Sequence, residues 1–162
     1  MFLHPDEDPL GAGYNIMQSM IAIGSGGFFG KGFMHGSQGQ LDFLPEKHTD
    51  FIFTMLAEEF GFLGCFIVLA FFMVLIGYGV AISLRCRNLF GSLLALGVAA
   101  MLFIHICINV MMVMGLIPVV GVPLPLLSYG GSIMVSMMMG FGLMQNAYVH
   151  RDVHLPRAIG II

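Results

Sequence analysis

From Gly61 to Leu84 the chain carries no charged side chain. A helix that crosses the roughly 30 Å hydrocarbon layer of a bilayer needs about 20 consecutive apolar residues, and this run supplies them. Leu93 to Met114 supplies a second span, interrupted by His105 and Asn109, and Ser128 to Val149 a third, with Gly130, Gly131, Gly140 and Gly142 as small, close-packing positions. Composition agrees. Only 9% of the 162 residues are charged and 58% are hydrophobic, with a mean hydropathy of +0.94. A soluble domain carries about 25% charged residues, so these few charges cannot clothe a water-soluble globule. The expected fold is all-α, a polytopic membrane protein with three transmembrane helices and a large N-terminal extracytoplasmic segment.

Charge sets the expected orientation. Arg85 and Arg87 follow the first span, and Arg151 and Arg157 the third, which by the positive-inside rule places those ends in the cytoplasm. Residues 1–60 and the connection 115–127 then face outside, and a short cytoplasmic tail ends the chain. All the acids except Asp152 lie within residues 1–60. No basic run suggests a nucleic-acid partner. The three cysteines, Cys65, Cys86 and Cys107, are scattered and form no disulfide framework or metal site. The opening residues read as neither a basic n-region nor an apolar h-region, so no signal peptide is expected.

The outer segment has its own pattern. Tyr14, Met17, Met20 and Ile21 recur at helical spacing, which predicts a short amphipathic helix lying on the membrane. Gly24 to Gly27, Gly30 and Gly32 then predict a flexible loop. Thr49 is placed to cap a helix beginning near Asp50. Unbroken to Leu84, that helix would be about 52 Å long. Either its first two turns stand at or above the headgroups, or it kinks near Gly61 and Gly64. The connection 115–127 is apolar yet contains Pro118, Pro123 and Pro125, which rules out regular helix. Irregular backbone at membrane depth must be buried in protein or line a cavity, so a re-entrant loop or cavity wall is expected.

Asp50 is the first candidate for chemistry, a carboxylate at the lip of an apolar helix, where a lipid-linked substrate would present its polar head. Helix initiation alone is the plainer account, since acids favour a first turn. Glu58 and Glu59 read as interfacial charges or as members of a buried pair. Lys47 and His48 read as local surface groups or as donors to an anionic substrate. His105 and Asn109 share one face of the second span and read as interhelical hydrogen-bonding groups. The methionines at 111–114 and 137–139 read as packing or lipid-facing surface. The glycine-rich stretch 24–32 fails as a phosphate loop, because Ser25 stands where the first glycine is needed and Gly32 where Ser or Thr is needed.

Three blocks resemble the SEDS proteins (shape, elongation, division, sporulation), and among them the RodA type. The first runs from Asp8-Pro9-Leu10-Gly11 through Tyr14 and Gln18-Ser19 to Gly24-Ser25-Gly26-Gly27. The second joins Gly30-Lys31-Gly32 and Gln40 to Phe43-Leu44-Pro45-Glu46-Lys47-His48-Thr49-Asp50-Phe51-Ile52-Phe53 and Leu56-Ala57-Glu58-Glu59-Phe60-Gly61. The third is Pro118 to Ser132, including Pro123-Leu124-Pro125-Leu126-Leu127-Ser128-Tyr129-Gly130-Gly131. The resemblance implies part of a fold that normally has about ten helices, with this chain expected to be its C-terminal part and Met1 an internal methionine of a longer protein. It implies a peptidoglycan glycosyltransferase that polymerises lipid II, the lipid-linked disaccharide-pentapeptide, on the outer face of the bacterial inner membrane. It also implies a class B penicillin-binding protein and other elongation-complex membrane proteins as partners. Asp50 takes the place of the family's essential acid, and Lys47, His48, Glu58, Glu59 and Ser128 become substrate-binding candidates.

In that chemistry an acceptor hydroxyl needs a base and a departing diphosphate needs positive charge. Lys47, His48 or a divalent cation such as Mg2+ or Mn2+ would supply the latter. A helix N-terminus favours the Asp50 anion and an apolar cavity disfavours it. A lipid II flippase using His105, Asn109 and the broken 115–127 segment, or a non-catalytic scaffold, is the competing function.

Overall fold

A computed structural model describes residues 12–32 and 49–152. Among the described residues the regular elements are helices: α1 (Ala12–Gly26), α2 (Ile52–Arg85), α3 (Leu89–Val113) and α4 (Gly131–Val149). The expected all-α class is met. Two of them, α2 and α3, are long and apolar enough to cross a membrane. Only 17% of the most apolar stretch of α2 and 28% of that of α3 are buried within the chain. A core helix of a soluble protein would bury most of such a stretch, so these surfaces suit a lipid or helical surround. The helix of the third expected span begins at Gly131, and Ser128 lies in the turn before it. Gln145 and Asn146 make it less apolar than the other two.

The connection between α2 and α3 is so short that the helices fold back antiparallel. Asn88 ends it, its side chain accepting the Phe90 N–H at 3.1 Å as an N-cap. Small residues then let the backbones close in. A Cβ on Gly79 would lie 2.9 Å from Ala99 Cβ and 3.3 Å from Met144 Sδ, so α2, α3 and α4 meet there. Ile82, Ala95 and Met144 form the buried cluster at this end. Gly140 faces Val98 on α3 as a close-packing position, whereas Gly131 and Gly142 face open space, which corrects the expectation for those two. Met112 and Met137 are buried while Met114, Met138 and Met139 are exposed, so the methionines serve both packing and outer surface.

At the other end, Phe51, Phe53, Ala57, Leu102, Ile106, Met112, Val113 and Leu124 share one buried cluster. Helix α1 lies across it. Its buried stripe is Ser19, Ala22 and Gly26, and Met17, Met20 and Ile21 point outward. The helix expected near Tyr14 is therefore present, but its small face does the packing. Ser19 Oγ donates to the carbonyl of Val113, tying α1 to the end of α3 at 2.9 Å. Gly24 to Gly26, expected as loop, are helical, because a Cβ at Gly26 would collide with the Ala57 carbonyl and only a bare backbone brings α1 this close to α2.

Helix α2 is broken at Gly61, where φ is 65° and ψ −163°. This is the kink expected near Gly61, and its cause is visible. The segment after α1 enters the break and bonds to both sides of it. Lys31 and Gly32 donate their N–H groups to the carbonyls of Glu58 and Glu59 at 3.0 and 3.1 Å, and Phe62 and Leu63 donate theirs to Gly27 and Phe28 at 3.0 and 3.2 Å. The groups freed by the break are thus answered by another segment, as buried backbone requires. Phe28 stacks on Phe62 at 5.8 Å and covers the junction. The two segments meet at Gly30 and Gly61, where a side chain on either would run into the other's backbone.

Gly61→Ala is expected to lower stability by more than the roughly 1–3 kcal/mol of a strained non-glycine conformation, because the added methyl also strikes backbone. Gly97→Ala, on α3 with open space around its Cβ, should be neutral or stabilising. Thermal unfolding of the two variants in one detergent checks the contrast.

Candidate active site

Asp50 belongs to a turn at the start of α2 and is only 6% exposed. The turn is closed by the Phe51 carbonyl, which accepts from Thr54 N at 3.0 Å and from Met55 N at 3.3 Å. The capping position of this helix is Phe51 rather than Thr49, and Phe51 makes no side-chain cap bond. Phe51 is itself buried, so burial of its ring helps to anchor the turn.

The irregular connection after α3 supplies the opposite wall. Gly121, with φ +71°, turns bare backbone toward the acid, and a Cβ there would lie 3.4 Å from Asp50 Oδ2. Leu126 also has a positive φ, of 69°. Such a conformation costs a non-glycine residue about 1–3 kcal/mol unless its surroundings hold it. Ser128 does the holding, its Oγ accepting from Leu124 N at 2.7 Å while its own N–H donates to the Leu124 carbonyl at 2.9 Å.

Two side chains fasten the connection to the Asp50 turn. Ser128 Oγ donates to the Thr49 carbonyl at 2.6 Å. Asn109, fully buried on α3, donates through Nδ2 to the Asp50 carbonyl at 2.9 Å and to the Val122 carbonyl at 2.7 Å. Asn109 therefore bonds to backbone of the turn and of the connection rather than to a neighbouring helix, and His105 bonds back to Met101 O on its own helix at 2.8 Å. This corrects the expectation that the two residues link helices. A pattern of helical spacing shows which residues share a face, but not which loop folds over it.

The remaining candidates divide. Glu58 is fully buried and meets Lys31 Nζ at 2.8 Å, so its carboxylate belongs to a pair across the helix break. Glu59 is half-buried. Ser128 is buried with its hydroxyl engaged on both sides, in a place that orders the wall of the site. Lys47 and His48 lie outside the described residues. Lys31 and Gly121 were not singled out as site residues by the sequence. The signal for Lys31 was available, since a lysine between two glycines in a chain this poor in charge needs a partner. Gly121 had no such mark.

The chain is thus a helical membrane protein in which the turn before α2 buries one acid beneath an irregular proline-rich connection. It belongs to the cell cycle protein family of FtsW, RodA and SpoVE, whose pattern matches residues 1–153. It is 54% identical over 153 residues to the peptidoglycan glycosyltransferase MrdB of Escherichia coli K12, covering 94% of this chain and 41% of that protein. It is 47% identical to the peptidoglycan glycosyltransferase RodA of Treponema pallidum over 90% of this chain and 34% of that one. Among solved structures it is similar to a chain of a peptidoglycan synthase complex that coordinates polymerization and crosslinking, with a TM-score of 0.77, 31% identity, and coverage of 94% of this chain and 41% of that one. A variant of the rod shape determining protein RodA of Thermus thermophilus superposes with a TM-score of 0.65 at 32% identity, over 84% of this chain and 41% of that one. The chain therefore spans about two fifths of the length of its MrdB relative.

Lys31→Met is expected to destabilise the protein toward the low end of the roughly 3–5 kcal/mol of a broken buried pair, because Lys31 is itself 32% exposed. Adding Glu58→Gln, which removes the buried charge, should recover part of the loss. A double-mutant cycle of unfolding midpoints checks the coupling; strict additivity would contradict the pair's importance.

Proposed function

We propose that this chain carries the catalytic acid of a peptidoglycan glycosyltransferase that polymerises lipid II during cell elongation. The observation that carries the reading is the Asp50 carboxylate, buried at the start of a membrane helix and facing the bare backbone of Gly121. Support comes from the MrdB and RodA relatives, which are peptidoglycan glycosyltransferases. Asp50 takes the proton of the acceptor sugar hydroxyl. That oxygen bonds to the anomeric carbon of the donor, the bond from that carbon to the diphosphate oxygen breaks, and the polyprenyl diphosphate leaves with the electron pair.

Lys47 and His48, next to Asp50 in sequence, are proposed to meet the diphosphate. A divalent cation such as Mg2+ or Mn2+ would add charge neutralisation when bound. No group of three His, Cys, Asp or Glu side chains gathers among the described residues. Such a cation would be held mainly by the phosphate oxygens, as is common for Mg2+, with Asp50 kept as the base. Glu58, paired with Lys31, and Ser128, bonded to Thr49 and Leu124, are proposed to order the site, and Glu59 stays a proposed substrate contact.

The proposed membrane arrangement is three spans, with α4 as the third. Residues 1–60 and the connection then lie outside, and the arginine-bearing ends of α2 and α4 in the cytoplasm of a bacterial cell. A class B penicillin-binding protein and other elongation-complex proteins are the proposed partners, in line with the synthase complex that this chain resembles. The flippase alternative drew on His105 and Asn109, and both are engaged with backbone carbonyls.

The test uses a chimera in which this chain replaces the matching part of E. coli MrdB. Purified in detergent and given lipid II, the parent chimera should form glycan polymer. Asp50→Asn should reduce polymer at least 100-fold at equal insertion, within the range of a lost general base. Full activity in that variant would remove Asp50 from the reaction.

A further inference from the structure

We infer that Asn109 is a positioning residue for Asp50: its single amide nitrogen holds the acid's own backbone and the Val122 carbonyl together, and so fixes where the carboxylate that deprotonates the acceptor hydroxyl stands. The inference rests on the reading of Asp50 as the base.

An Asn side-chain nitrogen has two N–H bonds, and here each goes to a different segment. One reaches Asp50 O at 2.9 Å and the other Val122 O at 2.7 Å. Val122 adjoins Gly121, the residue whose backbone faces Asp50 Oδ2. The amide thus joins the two walls of the site directly behind the carboxylate. It does so from a rigid platform, since Asn109 lies in the last turns of α3, is fully buried, and has the buried residues Ile106, Met112 and Val113 around it on that helix.

The contact made by Ser128 is of a different kind. Ser128 grips the turn one residue earlier, at Thr49 O. It belongs to the connection itself, so it holds the turn to the connection but ties neither to the helical scaffold. Asn109 alone among the described residues is bonded to both from a transmembrane helix. Its Oδ1 is buried and has no hydrogen-bond partner among the described residues. A buried polar atom without a partner is costly, and an apolar residue of similar size would avoid that cost. The amide is retained here for its two donors.

Positioning predicts a kinetic signature. Truncating Asn109 should let the turn and the connection drift relative to each other while leaving the substrate's own contacts intact. A misplacement of about 1 Å costs roughly 100-fold in rate. The experiment measures kcat and KM for lipid II with the chimera described above, each rate referred to the folded, monodisperse fraction. Asn109→Ala should lower kcat by roughly 10- to 100-fold with KM within about twofold. Asn109→Gln, which keeps both donors on a longer arm, should fall between Ala and the parent.

An unchanged kcat in Asn109→Ala, with Asp50→Asn inactive, would overturn the inference and leave the proposed function standing. A raised KM at constant kcat would also overturn it, because Asn109 would then serve substrate binding. If the Ala protein is not recovered folded, the Gln variant decides: parent-like kcat overturns the inference, and reduced kcat at constant KM supports it. An Asp50→Asn variant that still polymerises would instead strike the proposed function itself.

Discussion

Hydrogen bonds that cross between segments to backbone groups are what allow this chain to be irregular where its backbone is buried. A helix answers its own N–H and C=O groups, and any buried departure leaves some of them bare. Among the described residues the chain departs at the Gly61 break and along the connection between α3 and α4. At the break, the stretch 27–32 supplies the missing donors and acceptors to Glu58, Glu59, Phe62 and Leu63. Along the connection, the side chains of Asn109 and Ser128 do so for Asp50, Val122, Thr49 and Leu124.

Both repairs lie at the same end of the helices, on either side of the first turns of α2. Between them, the segment from Thr49 to Glu59 is held by α1 and its following loop on one flank and by α3 and the connection on the other. A carboxylate used as a base needs a fixed distance to the hydroxyl it deprotonates. A loop in water would not supply that. Here the acid gains a fixed place by being built into the seam between a broken helix and a proline-rich wall.

Much of this was legible in the sequence, for identifiable reasons. The uncharged run after Gly61 and the apolar stretch around His105 fixed two helices, because charge scarcity and length leave few alternatives. Pro118, Pro123 and Pro125 excluded helix from the connection, since each removes a donor. The kink near Gly61 followed from excess length together with glycine. Three things were hidden. Which face of α1 packs depended on Gly26 meeting the Ala57 carbonyl, a contact far apart in sequence. The partners of Asn109 were backbone atoms of an irregular segment, which no periodicity describes. The importance of Gly121 came from a neighbour, Asp50, brought to it by folding.

The most direct measurement of the central claim is amide hydrogen exchange on the intact chain in a lipid nanodisc. If cross-segment bonds repair the irregular backbone, the amides of Lys31, Gly32, Phe62 and Leu63 will exchange as slowly as those in the middle of α3. Exchange of these amides at the rate of an open loop, with α3 still protected, would contradict the account.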